Sequence, residues 1–142
     1  MPKLKTREAI RSWLFDKALP LWSTRGVDQI DGGFVEQMDF NGRDAGVDFK
    51  RSRVAGRQAY VFSHAQMLGW HGGEELAGEA IAWRTDRAWL GPDRGFARTL
   101  TRKGEIKDAT PDLYDYAFIM FGFAWRHRLM KDAASRDWLH LT

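Results

Sequence analysis

The feature that most constrains this chain is an internal repeat of about 60 residues. Asp31-Gly32-Gly33-Phe34 returns as Asp93-Arg94-Gly95-Phe96, an offset of 62, and Ala59-Tyr60 returns as Ala117-Phe118, an offset of 58. Around these anchors two kinds of helix alternate. A segment opening at Thr6, a residue suited to an N-cap, sets Ile10, Trp13, Leu14 and Ala18 against Arg7, Glu8, Arg11, Asp16 and Lys17, and is expected to end at Pro20. A second amphipathic segment, 74–90, sets Leu76, Ala77, Ala80, Ile81, Trp83 and Ala88 against Glu75, Glu79, Arg84 and Arg87, with Gly91-Pro92 as its stop. The helices predicted over 53–70 and 113–129 are different. From Gln58 to Leu68 the first has no Lys, Arg, Asp or Glu, and from Tyr116 to Trp125 the second is apolar on every face, so both are expected to be covered on most sides. A last segment, 132–141, begins another amphipathic helix with Ala133, Ala134 and Trp138.

Short alternating stretches join these helices. Residues 31–43 alternate up to Asn41-Gly42, a pair that tolerates the positive φ of a tight turn, which predicts a small β-hairpin. Residues 93–105 offer a second alternating stretch with a glycine turn. The repeating unit is thus charged helix, short hairpin, apolar helix. It predicts an all-α fold, part of an α/α toroid with helical hairpins in two layers, apolar inside and amphipathic outside, with short β-hairpins in the loops; a solenoid of helical hairpins is the competing arrangement. Two units and the start of a third cannot close a ring, so one repeat edge is expected to be uncovered.

Composition narrows the function classes. At 142 residues, 44% apolar and 29% charged, the chain reads as a globular domain with a sizeable core. It has no cysteine, which excludes disulfides and thiolate metal sites and favours a reducing compartment. No apolar run follows the first eight residues, so no leader is read there. The longest stretch free of Lys, Arg, Asp and Glu, 58–73, is shorter than the ~18–20 residues of a membrane span, and the net charge of +3 is scattered, with no like-charge block longer than Lys50-Arg51. Neither a nucleic acid nor a membrane is expected as a partner, and the predicted location is cytoplasmic. Seven tryptophans in 13% aromatic residues fit either a large core or flat platforms on which sugar rings stack.

No P-loop, dinucleotide fingerprint, nucleophile elbow, HExxH or CxxC motif is present. Candidate chemistry lies instead on one stripe of the second helix, Arg53, Arg57, Tyr60 and His64, which either faces solvent or, as the repeat favours, the inner layer. A guanidinium there suits hydroxyl oxygens or a developing enolate. His64 reads as a hydrogen-bonded structural residue, and His71, His127 and His140 as surface residues. Asp108, Asp112 and Asp115 suit the N-terminus of the fourth helix better than a metal, and none is expected. The hydroxyls of Tyr114 and Tyr116 enter an apolar helix and need partners.

The run Arg53-Val54-Ala55-Gly56-Arg57-Gln58-Ala59-Tyr60-Val61-Phe62 resembles the N-acylglucosamine 2-epimerase family. Asp31-Gly32-Gly33-Phe34, Leu68-Gly69-Trp70, Gly95-Phe96 and Asp112-Leu113-Tyr114-Asp115-Tyr116-Ala117-Phe118 follow in family order, and the Arg-Gln-Ala-Tyr-Val-Phe form is most similar to the mannose isomerase and mannose-6-phosphate-isomerase-like branch. The resemblance implies a toroid of six helical hairpins and a sugar isomerase working through an enediolate, without a cofactor. It implies that Arg57 and Tyr114 bind the sugar and that Tyr60 lines the pocket. The family's catalytic histidines belong to later repeats, so the catalytic residues are unknown here. Residues 1–142 are expected to be the N-terminal portion of one toroid domain, truncated and of little or no activity alone. A sugar 2-epimerase, or a non-enzymatic helical-repeat module self-associating through the uncovered edge, is the alternative.

Overall fold

The computed structural model describes residues 6–142; the leader reading rests partly on residues 1–5, outside the described residues. Helix α1 (Arg7–Trp13) continues through a π-helical segment (Leu14–Ala18) into α2 (Leu19–Thr24). Strand β1 (Phe49–Arg51) runs directly into α3 (Ser52–Met67), followed by α4 (Gly73–Ala88), β2 (Thr99–Thr101), β3 (Ile106–Asp108), α5 (Leu113–Met130) and α6 (Ala133–Leu141). Helices α3 and α5 pack on each other, while α4 covers α3 and α6 covers α5. This is the two-layer, helical-hairpin arrangement of part of an α/α toroid, as the repeat predicts.

Two glycines make the inner pair possible. A methyl group on Gly56 would stand 2.3 Å from the Phe118 carbonyl oxygen, and one on Gly122 would stand 2.6 Å from that of Gly56. The backbones of α3 and α5 therefore touch, with no side chain between them. Behind this crossing the core forms two clusters. Leu19, Phe34, Ala59, Phe62, Ala77 and Ala80 fill the first repeat, and Ala88, Phe96, Leu100, Ile119 and Phe123 the second. Alanines on α4 let that helix sit close, and the large rings come from the loops and inner helices.

Pro20 does not end the first helix. The Leu19 N–H bonds the Leu14 carbonyl, five residues back, and this widened turn accommodates the ring that would otherwise strike the carbonyl four residues earlier. Residues 31–43 also depart from expectation, because they form no strand ladder. Isolated bridges, Val27 to Phe34 and Met38 to Asp44, close two successive loops instead. Phe34, Val35 and Glu36 are all buried, which breaks the alternation; the Glu36 carboxylate turns inward to accept the Arg51 backbone N–H (2.9 Å) and pair with the Arg51 guanidinium. The Asn41-Gly42 turn does form, with Gly42 at φ 69° and the Asp39 carboxylate accepting from Asn41 and Arg43. The second hairpin is real but lies later, as β2 and β3 around Gly104. Strand β1, too short to show a period, pairs antiparallel with β2 and so ties the loop of one repeat to that of the next.

A buried ion cluster fixes the same junction. Asp28 takes Lys50 (2.9 Å) and Arg102 (3.0 Å) on one oxygen and the Ile30 and Asp31 N–H groups on the other, and Arg102 also reaches Asp44 (2.5 Å). Lys50 further donates to the Gly32 carbonyl and lies over the Trp83 ring. Burial alone would push the Asp28 carboxyl up, but the hydrogen bonds from Lys50, the Asp31 N–H and Arg102 outweigh it and hold the group at about 2 rather than 3.8.

Two outcomes follow from this packing. Gly56→Ala forces the inner helices apart and lowers the unfolding free energy by about 2–3 kcal/mol in urea titrations, with a lower Tm. Because the folded form of Asp28 holds its charge below the ordinary value, its contribution is complete above about pH 4 and drains as pH falls through 2. Stability should therefore fall by about 2 kcal/mol across that window, and Asp28→Asn, less stable at pH 7, should show a shallower acid slope.

Candidate functional site

The stripe Arg53, Arg57, Tyr60, His64 faces α5, and every member is partly buried there. Opposite it stands a second stripe with the same spacing, Tyr114, Phe118, Phe121 and Trp125, so the two inner helices present matched edges. At one end Arg53 pairs with the buried Asp115 at 2.9 Å. Asp115 is held in place by the α5 N-cap, where the Asp112 carboxylate accepts from the Tyr114 and Asp115 N–H groups. One turn on, Arg57 donates to the Tyr114 hydroxyl at 2.8 Å and its guanidinium lies 4.1 Å from the centre of the Phe118 ring. Tyr114 is 56% exposed, so this pair borders open space and Arg57 keeps donors available for a ligand.

The other end is aromatic. The Tyr60 ring meets Phe121 at 4.5 Å and Trp125 at 5.2 Å, and His64 stacks on Trp125 at 4.3 Å. The His64 Nδ1 lies 3.2 Å from the Tyr60 hydroxyl, which agrees with its reading as a hydrogen-bonded structural residue. The wall thus combines a cation and a phenol with a row of ring faces. A guanidinium can hold hydroxyl oxygens or an oxyanion through two parallel donors, and ring faces complement the apolar faces of a sugar.

The structure brings Arg57 and Tyr114 into contact and sets Tyr60 on the same wall. It sets Asp115 apart from the other two aspartates. Asp115 is Arg53's partner, whereas Asp112, which caps α5, and Asp108, which accepts the Thr110 N–H, both face Arg98, at 3.4 and 3.7 Å. Tyr116 points away from this wall: its hydroxyl accepts the Phe96 N–H (2.7 Å) and donates to the Arg94 carbonyl, fastening the second loop to α5. A Cβ on Gly95 would fall 1.4 Å from that hydroxyl, and glycine recurs at this place in the repeat because Gly33 and Gly95 both hold positive φ, 67° and 64°. His127 is not a surface residue; half-buried, it sets Nδ1 3.1 Å from the Asp132 carbonyl oxygen at the end of α5. Phe121 and Trp125 went unrecognised as wall residues because α5 is apolar on all faces. Continuing the spacing of the first stripe from Tyr114 would have found both.

Residues 32–141 match the profile of the family described as N-acylglucosamine 2-epimerase (GlcNAc 2-epimerase). A mannose-6-phosphate isomerase of Rhizobium meliloti (strain 1021) is 39% identical over 115 residues, which are 81% of this chain and 30% of that protein. The structure of cellobiose 2-epimerase from Spirochaeta thermophila superposes with a TM-score of 0.85 at 24% identity, over 94% of this chain and 33% of that one. A D-mannose isomerase structure superposes with a TM-score of 0.85 at 15% identity, over 99% of this chain and 35% of that one. At such identities the likeness speaks to the fold. The chain spans about a third of the length of these relatives. With its two-layer helical hairpins and with 32–141 matched, it belongs to the N-acylglucosamine 2-epimerase family.

Proposed function

We propose that the α3/α5 wall is one side of the site of a sugar isomerase that interconverts an aldose and a ketose of the mannose type. The observation that carries this reading is the Arg57–Tyr114 pair at 2.8 Å, a cation and a phenol on the open side of the inner layer beside a row of aromatic rings. The relative named mannose-6-phosphate isomerase supports the choice of sugar. In the reaction a base removes the proton from the carbon next to the carbonyl, and the electron pair moves onto the carbonyl oxygen to give an enediolate. A proton then returns to the former carbonyl carbon, while the neighbouring hydroxyl gives up its proton and becomes the new carbonyl. Arg57 holds the two oxygens and stabilises the developing charge, Tyr114 contacts a sugar hydroxyl, and Tyr60 lines the pocket. We assign the acid and base to histidines on further repeats of a longer toroid, of which residues 1–142 form the N-terminal portion. Absence of cysteine fits a cytoplasmic setting for this reaction; no helix among the described residues is long and apolar enough to cross a membrane.

Two other readings have their own support. Return of the proton to the original carbon from the opposite face would make the enzyme a 2-epimerase, as the name of the cellobiose 2-epimerase neighbour suggests. Leu113, 88% exposed, together with Met120 and Phe121 leaves part of α5 bare, which favours association with a second copy or a partner.

Arg57→Ala in the longest natural form of the chain should lower kcat/KM on mannose by roughly 100-fold or more, and unchanged kcat/KM removes Arg57 from the site. Product analysis separates a ketose from an epimer. The purified 142-residue chain should convert little or no mannose to fructose, and robust turnover would refute the assignment of acid and base to other repeats. Light scattering reads the association, with a stable monomer counting against it.

A further inference from the structure

Arg84 on α4 is 1% exposed, and none of its three guanidinium nitrogens meets a hydrogen-bond partner among the described residues. The group lies over two ring faces, Phe96 at 4.4 Å and Phe123 at 4.8 Å. Ring faces attract a cation, but they offer no oxygen to its five N–H donors. Burial lowers the guanidinium to about 9, so at neutral pH it keeps its charge. An isolated buried cation with unmade hydrogen bonds is among the costliest arrangements in a core.

The side chain lines a small cavity whose wall includes Glu36, Lys50, Ser52, Ala80 and Leu100 and which holds about 20 Å³. None of Arg57, Tyr60 or Tyr114 borders it. The other polar groups on its wall are already engaged. Glu36 is held by Arg51, Lys50 by Asp28 and the Gly32 carbonyl, and the Ser52 hydroxyl donates to the Ala97 carbonyl at 2.6 Å. No carboxylate among the described residues lies within ion-pair distance of Arg84. The space exceeds what one water requires and admits a small anion, but not a sugar. A water would answer some of the donors without offsetting the charge.

We propose that this cavity is a structural anion site, in which one monatomic halide, chloride under ordinary conditions, lies against the edge of Arg84. The ion joins the outer helix α4, through Arg84, to Lys50 of β1, Ser52 at the start of α3 and Leu100 of β2. It belongs to the framework of the repeat and takes no part in sugar chemistry.

Thermal unfolding of the 142-residue chain in sodium chloride and in sodium gluconate at equal ionic strength provides the test, since gluconate cannot enter so small a space. Chloride should raise Tm by roughly 3–5 °C, saturating with concentration. Arg84→Met, which replaces the charge with an apolar chain of similar length, should abolish the chloride dependence. Equal Tm in both salts, or a chloride effect that persists in Arg84→Met, overturns the proposal. Should the variant fail to fold, crystals of the unaltered chain grown in bromide decide the matter. An anomalous peak against the Arg84 guanidinium supports the halide, and density there without an anomalous signal overturns it in favour of water.

Discussion

The close crossing of α3 and α5 at Gly56 and Gly122 is the constraint from which the rest of the structure follows. With backbone against backbone, every larger side chain on these helices must fall to one flank of the contact or the other. Phe62 and Phe123 go to the side of the outer helices and fill the two cores. Arg53, Arg57, Tyr60 and His64 go to the other side, where they meet Asp115, Tyr114, Phe121 and Trp125. A wider separation would leave Arg57 short of Tyr114 and unseat the ring stacking beyond it. The wall is therefore a product of the packing, and two residues without side chains set its dimensions.

Electrostatics ties the junction between repeats. Asp28, Lys50 and Arg102 come from three separate loops and strands and share one buried carboxylate oxygen. Charges removed from water in this way hold only when each finds its partner, so the cluster ties the loops into one relative placement. The three-stranded sheet has the same function in backbone terms, since β1 belongs to the first repeat and β2 and β3 to the second. Trp83 closes the arrangement by donating to the Asp31 carbonyl at 3.0 Å while its ring packs on Gly32 and Gly33.

Much of this was legible before any coordinate. The alternation of charged and apolar helices has a long period and spans many residues, so the two layers, the repeat and most helix limits could be read directly. The bridged loops over 31–43 could not, because the alternation there reflects no strand. Glu36 is inward for a partner, Arg51, fifteen residues away, and no local pattern encodes that. Pro20 misled for a similar reason: the relief of its clash lies in the hydrogen bonding of the preceding turn. The aspartates around the start of α5 looked alike in sequence, yet Asp108 and Asp112 face Arg98 and Asp115 pairs with Arg53, since a carboxylate takes whichever donor the fold delivers.

The sequence by itself determined the layer pattern, the repeat and the side chains available to a sugar. Those follow from periodicity and from the chemistry of single residues, which are local properties. Only the tertiary structure decided which charges would meet. It paired Arg57 with Tyr114 and Arg53 with Asp115, and it buried Arg84 against two rings without a counter-charge. Such pairings depend on how closely two helices approach, and that distance is a property of the packed pair rather than of either strand of sequence.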